Sequence, residues 1–377
     1  MSLSDPPFVA SDTINVERLD VSVYTVPTEA PEADGTFSWD STTVVVVEPS
    51  AGGRRGLGFS YATTACAPLI RDVLCEVVVG RDALDVCRSW SAMVDAIRNI
   101  GRPGVASMAI AAVDTALWDL KAKLLGVSLA RLLGVVRTEV PVYGSGGFTS
   151  DTTDELTGQL RSWVDDGFSQ VKMKVGTDRG RDAARDVERV AAVRRAVGDG
   201  AELMVDANGG YTAKQAVRLA RRFADEGVTW FEEPVSSDDL DGLRTVRELV
   251  DLDVAAGEYG YDLVYFERMA AAESVDVLQL DVSRCAGITE WLRAAAVAAA
   301  HGLDVSGHCA QSLHLHPACS VPNVRHLEYF ADHARVDRLL FDGVIDPGNA
   351  SLTPDLTRPG VGLELKRTDA DRYRRAA

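Results

Sequence analysis

Two lysines stand one residue apart in the apolar run VKMKVG, residues 171–176. On a strand, Lys172 and Lys174 share one face, while Val171, Met173 and Val175 point to the other. Two ammonium groups on one face repel each other, and each loses hydration on burial. The pattern therefore implies either a wet face or an anionic partner opposite. Further along, ionisable residues close a series of short apolar runs. They are Asp206 in ELMVDANG, Glu232 and Glu233 in TWFEEP, Glu258 in DVAAGE, Asp281 in DVLQLDVS, His308 in DVSGHCA and Glu328 in HLEYF. Asp206 to Glu232 and Glu232 to Glu258 are both steps of 26 positions. One repeating unit thus separates each acid from the next. Three carboxylates so spaced suit a hard divalent cation such as Mg²⁺, which takes oxygen ligands and keeps some waters for a substrate to replace. With anionic groups in the same mouth, one lysine is expected to lower the pKa of the other by like-charge repulsion and make it a base near neutral pH. His308 is the second candidate base. Asp281, one run earlier, is placed to hold the imidazole's other N–H.

The elements that must position these residues alternate. Apolar runs at 140–146, 171–176, 202–209, 229–234, 253–258, 276–283, 304–310 and 326–330 are separated by helix-like stretches such as DAARDVERVAAVRRAVG and TEWLRAAAVAAAHG. Some eight strand–helix units in this length fit a closed parallel barrel, whose strand ends converge on one mouth. The helix after the last strand looks weak, and 343–366 reads as Pro/Gly-rich turns. Upstream, LDVSVYTV, STTVVVVEPS and RGLGFSYA read as strands, and ASMAIAAVDTALWDLKAKLLG as a helix ending on Gly126. Between the first two strands, PTEAPEADGTFSWD (27–40) reads as a long aromatic loop of the kind that forms lids.

Composition narrows the partners. Lys and Arg total 39 against 56 Asp and Glu, a net charge of −17. That argues against nucleic acid or an anionic membrane as a partner. No stretch approaches a membrane span. The start, MSLSDPPF, lacks a basic and apolar secretory pattern. Six scattered cysteines without a CxxC pair point to a reduced, cytoplasmic protein. His314 and His316 form an H-x-H without a visible third ligand and read as structural or surface residues. His301, His326 and His333 carry no signal.

These motifs resemble the enolase superfamily and, within it, the mandelate racemase subgroup. KMK at 172–174 is similar to the family's K-x-K; VDANGGY, FEEP and AAGE resemble its three metal-ligand motifs; Asp281 and His308 resemble its Asp–His dyad. The resemblance implies a modified (β/α)7β barrel over 136–342, an N-terminal α+β capping domain over 1–135 with lid loops near 25–43 and 59–68, and a segment 343–377 returning onto the cap. It implies Mg²⁺ on Asp206, Glu232 and Glu258, with Glu233 left beside them. Lys174 and His308 become bases on opposite faces of the substrate, Asp281 supports His308, and Lys172 and Glu328 face the substrate carboxylate. Glu328 would help there only if protonated. The activity implied is removal of the proton α to a carboxylate through an enediolate, which the superfamily performs with a Lys or His base and Mg²⁺.

Two bases allow two outcomes. Protonation of a β-hydroxyl leads to dehydration of a sugar acid to a 2-keto-3-deoxy acid; return of a proton to carbon gives the epimer. The resemblance favours dehydration, with racemisation or epimerisation of an α-hydroxy acid, or cycloisomerisation of an anhydro sugar acid, as alternatives. It also implies a homo-oligomer. Candidate contacts to substrate hydroxyls are Phe37, Trp39, Asp40, Tyr61, Thr63, Ser145 and Asn208. Residues 25–43 contain no Lys or Arg, which favours a monoacid, although Arg284 offers a cation for a second carboxylate.

Overall fold

The computed structural model describes residues 13–375; the MSLSDPPF start lies outside them. The first strands form an antiparallel sheet. Arg18–Ala33 pairs with Ser38–Ala51 in the register Val23↔Val45, and Val44–Val47 pair in turn with Tyr61–Gly58. The run of four valines follows from burial on both faces. Val45 and Val47 join an apolar cluster with the helices of the cap, and Val44 and Val46 join the cluster that extends through the barrel. The helix Val105–Leu125 crosses this sheet and stops at Gly126, whose φ of 69° is left-handed. Helix and sheet approach so closely that a Cβ on Gly58 would lie 2.3 Å from the Ala116 nitrogen.

The expected loop over 27–40 is instead a hairpin. The first strand runs on to Ala33 through an irregularity between Pro27 and Glu32, and the second begins at Ser38. Prolines are tolerated there because the ladder is interrupted at that point. The second expected lid shrinks to residues 62–65, between the strand Gly58–Tyr61 and the helix that begins at Cys66.

The barrel has eight parallel strands. In order they are Val140–Gly146, Gln170–Lys174, Glu202–Asp206, Val228–Glu232, Asp253–Ala256, Val277–Leu280, Asp304–Gly307 and Val324–Phe330. Strand eight closes on strand one at Leu327↔Val142 and Glu328↔Tyr143. Tyr143, Met204, Trp230, Ala255 and Val277 fill the interior. Helices cover the outside, where Val171, Met173 and Val175 point. The helix that looked weak after strand eight is formed, Ala331–Leu340. It buries Ala334, Val336 and Leu340, and also Asp332 and Asp337. The chain then returns: Ser351 and Leu352 pair antiparallel with strand one, and the Arg375 amide donates to the Val23 carbonyl. Cap and barrel are fastened by buried polar contacts. Asp114 accepts from the amide and hydroxyl of Thr289, and Trp90 donates to the Ala286 carbonyl. Among the described residues no helix is long and apolar enough to cross a membrane.

Candidate active site

Strand register brings the ionisable residues together. Lys174 is level with Asp206, and Asp206 with Glu232. All three point into the mouth and are buried. Asp206, Glu232 and Glu258 each offer a carboxylate oxygen, all within 4.8 Å of one another. Lysines answer these acids. Lys172 Nζ donates to both oxygens of Glu232 at 2.6 Å and lies 3.0 Å from Glu328 Oε1, while Lys174 donates to Asp206. The anionic partner implied by VKMKVG is therefore this acid cluster.

The ionisation balance differs from the expectation in two places. Burial lowers the pKa of Lys174, but the carboxylates of Asp206, Glu328 and Glu258 together outweigh burial and Lys172, and the pKa is raised. Like-charge repulsion is present and is the smaller effect. Burial likewise opposes charge on Glu328, yet Lys172, His308 and Lys174 hold its pKa well below the usual carboxylate range. Ser145 Oγ and the Cys309 amide also donate to Glu328, at 2.5 and 2.9 Å. Glu328 is thus held towards the anion beside Lys172, and the protonation on which its help to a substrate carboxylate was conditional is disfavoured. Glu232 is pushed up to about 7 by burial and neighbouring acids, against Lys172. Burial and Glu258 push Glu233 well above the usual carboxylate range; this residue sits at a φ of 37°, with its Oε1 lacking a hydrogen bond.

The histidine end is equally built. His308 Nδ1 donates to Asp281 Oδ2 at 2.8 Å, and Asp281 Oδ1 accepts from the amide and hydroxyl of Ser283 at 2.7 Å each. This leaves Nε2 facing Glu258 Oε2 at 3.2 Å. Burial and Arg284 lower the His308 pKa, but Glu258, Asp281 and Glu328 together outweigh them and the net shift is upward. Arg284 is not free for a second substrate carboxylate. Its Nη1 donates to Glu258 Oε1 at 3.2 Å and its Nε lies 3.4 Å from Asp281. Its guanidinium also lies over the Tyr259 ring.

The expected hydroxyl contacts fare unevenly. Ser145 and Tyr61 have their hydroxyls committed, Ser145 to Glu328 and Tyr61 to Asp337 at 2.5 Å, with the Tyr61 ring stacked on His333. Phe37 is 68 % exposed at the hairpin and stacks on Trp39; Asp40 and Thr63 are exposed. Trp39 covers the mouth, edge-on to Phe148 beside Cys309, with its Nε1 donating to Glu32 at 2.8 Å. Asn208 lies at the mouth with its amide donating to Asp206 and its Oδ1 buried without a partner. A cavity of about 610 Å³, lined among others by Thr36, Asn208, Glu233 and Tyr259, opens beside it. His314 and His316 are structural: they accept from the amides of Val282 and Ala130 inside the fold.

Three contributors were missed. Tyr143 places its hydroxyl 3.2 Å from Lys172; period-two alternation in VPVYGSG puts it on the same face as Ser145, which was signal enough. Asp34, at the hairpin turn, has its pKa raised by burial and feels the charge of Lys174. Cys309 Sγ lies 3.4 Å from His308 Nε2, a contact created by left-handed backbone that the letters do not announce.

A parallel barrel that gathers three buried carboxylates between a lysine and an Asp-supported histidine defines a class: enzymes that use a metal ion to handle carboxylate substrates. The all-oxygen donor set and the unpaired Glu258 Oε2 fit a hard cation. Comparison with known proteins gives the family. Residues 155–370 match the enolase C-terminal domain-like family, and residues 18–134 match the mandelate racemase / muconate lactonizing enzyme N-terminal domain. The chain belongs to the mandelate racemase / muconate lactonizing enzyme family of the enolase superfamily. It is 31% identical over 326 residues, 84% of this chain and 81% of the relative, to L-talarate/galactarate dehydratase of Salmonella typhimurium LT2. It is 34% identical over 361 residues, 93% and 97% of the two chains, to 3,6-anhydro-alpha-L-galactonate cycloisomerase of Streptomyces coelicolor. Among solved structures, a mandelate racemase/muconate lactonizing enzyme-like protein from Rubrobacter xylanophilus superposes with a TM-score of 0.93 at 51% identity, covering 96% of this chain and all of that one. The Salmonella dehydratase liganded with Mg and L-lyxarohydroxamate superposes with a TM-score of 0.89 at 28% identity, covering 100% and 97%.

Proposed function

We propose that this protein removes the proton α to the carboxylate of a sugar acid, with Mg²⁺ held by Asp206, Glu232 and Glu258, and that the outcome is dehydration to a 2-keto-3-deoxy acid. One observation carries the reading. The row of acids on strands three to five is flanked by a base at each end, Lys174 against Asp206 and His308 against Glu258. A substrate carboxylate placed over that row has its α-carbon between the two. When bound, Mg²⁺ supplies polarisation of the substrate carboxylate and offsets the negative charge that keeps Lys174 protonated. Lys172, charged because Glu232 and Glu328 surround it, donates to the oxygen on which negative charge develops. Lys174 takes the α-proton. His308, held by Asp281, gives a proton to the β-hydroxyl; the C–O bond breaks, water leaves, and the enol becomes the keto acid. The hairpin 18–51 closes the mouth through Trp39. The six cysteines are free thiols, which supports a reducing, cytoplasmic setting.

A second reading is cycloisomerisation of an anhydro sugar acid, favoured by the 97% coverage of the Streptomyces cycloisomerase. Incubation with Mg²⁺ in D₂O against galactarate, galactonate, arabinonate, gluconate and 3,6-anhydrogalactonate separates the readings. A 3-deoxy signal by ¹H NMR together with loss of water by mass is the result expected for dehydration. A keto product formed from the anhydro acid with no loss of water, its mass raised only by deuterium taken up from solvent, identifies the cycloisomerase. Deuterium at the α-carbon with no keto product overturns both in favour of an epimerase.

A further inference from the structure

The backbone after strand seven is unusual. Cys309 and Ala310 both have left-handed φ, 47° and 41°. This turn folds the Cys309 thiol back over its neighbour, so that three donors of different chemistry meet. Sγ lies 3.4 Å from His308 Nε2 and 3.4 Å from Glu328 Oε2, and Nε2 and Oε2 are 3.8 Å apart. A tetrahedral Zn²⁺, with Zn–S of about 2.3 Å and Zn–N and Zn–O of about 2.0 Å, keeps its donors roughly 3.3–3.6 Å apart. The observed triangle departs from that by about half an ångström at most. Each donor is also aimed. Asp281 holds His308 by Nδ1, leaving Nε2 to point at the triangle; Ser145 holds Glu328 by Oε1, and the Cys309 amide donates to Oε2 at 2.9 Å, fixing that oxygen with a further lone pair for the triangle. A carboxylate behind a histidine is the arrangement that orients and strengthens imidazole ligands to zinc. The set is distinct from the three-carboxylate cluster, whose oxygens suit a hard cation; a thiolate and an imidazole select a soft one.

We propose that His308, Cys309 and Glu328 form a second metal site, selective for Zn²⁺ and similar soft divalent ions, that switches the enzyme off. Binding forms Zn–S, Zn–N and Zn–O bonds, and the thiol proton leaves to solvent. A water takes the fourth position, since Glu258 belongs to the three-carboxylate cluster. The consequence for activity rests on the role given above to His308, because the ion occupies the nitrogen that would face the substrate. Metal binding itself does not rest on it. Access follows the substrate's own route, past Trp39, which lies against the same small apolar cluster as Cys309.

The test uses the full chain saturated with Mg²⁺ and titrated with Co²⁺ and Zn²⁺. Co²⁺ is expected to give one thiolate-to-cobalt charge-transfer band in the near ultraviolet at one equivalent, displaced by Zn²⁺ and not by excess Mg²⁺. Cys309→Ser is expected to lose the band and to weaken Zn²⁺ binding at least about 100-fold, since losing a ligand costs more than losing a partner that merely orients one. Cys87→Ser, which removes the exposed cysteine, is expected to change neither. Circular dichroism verifies that each variant is folded, and Cys309→Ala serves if the serine variant is not. A band that survives in Cys309→Ser and Cys309→Ala, or none in the parent, overturns the site. A band present while Zn²⁺ leaves turnover unchanged keeps the metal site and overturns the switching role.

Discussion

Gly35 is where the hairpin touches the barrel, and its replacement by alanine tests whether that contact closes the mouth. A Cβ there would lie 2.8 Å from the Val175 carbonyl oxygen and 2.9 Å from those of Gly176 and Ala207. All three belong to the backbone of the second and third strand ends, so none can rotate away; the hairpin tip must lift instead. Overpacking of this kind costs about 1–3 kcal/mol. The tip is held by the Arg179 amide donating to Gly35 O at 2.9 Å, the Thr149 amide to Ala33 O at 2.8 Å, and Thr149 Oγ1 to Asp34 O at 2.6 Å. A penalty of that size shifts the balance from closed to open by about 5- to 150-fold. Hydrogen exchange is the direct assay. The amides of Thr149 and Arg179 should lose protection by a factor in that range, while amides in strands three to six keep theirs. For whichever sugar acid is turned over, KM should rise. Gly158→Ala, inside a helix with nothing within 4 Å of the new Cβ, is the control and should be neutral or stabilising by up to about 1 kcal/mol. Unchanged protection at Thr149 and Arg179 in Gly35→Ala would refute the idea that this contact holds the hairpin down.

Three further outcomes are expected. His316 accepts from the Ala130 amide and donates to the Val361 carbonyl, and burial holds its pKa down to about 4. The unfolded chain therefore binds the proton first, and stability is lost as pH falls from about 6.5 towards 4, at about 1.4 kcal/mol per pH unit; His316→Gln should flatten urea-unfolding midpoints over that range. Asp119 accepts from the amides of Leu57 and Val361, both at 2.7 Å, and pairs with Lys123. Asp119→Ala orphans two buried N–H groups and should cost about 2–6 kcal/mol in denaturant unfolding. Mg²⁺ at a hundred times its Kd should stabilise the protein by about 2.7 kcal/mol; Glu258→Gln should lose most of that gain in a thermal melt.

Much of the site was legible because the chemistry repeats on a structural beat. Ionisable residues at the ends of seven of the eight strands form a pattern that solvent-facing acids do not produce, and a barrel has only one place to put such ends. What was lost is what three-dimensional neighbours decide. The Lys172–Lys174 spacing speaks of repulsion, but Asp206, Glu328 and Glu258 arrive from other strands and reverse its effect on Lys174. Glu328 follows the same logic, since its cations come from strands two and seven. Prolines at 27 and 31 disguised a strand as a loop, because an interrupted ladder accepts them. The helix ADHARVDRLL looked weak, yet it forms and buries Asp332 and Asp337, with Asp337 accepting from Tyr61, Gln311 and Ser312.

The central claim is that Lys174 and His308 address one α-carbon from opposite ends of the acid row. Its most direct test is α-proton exchange. The Mg²⁺-loaded protein is incubated in D₂O with the sugar acid that it turns over, and deuterium at the α-carbon is followed in the parent, in Lys174→Ala and in His308→Asn. The account predicts that Lys174→Ala abolishes both turnover and exchange. In His308→Asn it predicts exchange through Lys174 without loss of water. Exchange that persists when both residues are replaced would contradict it.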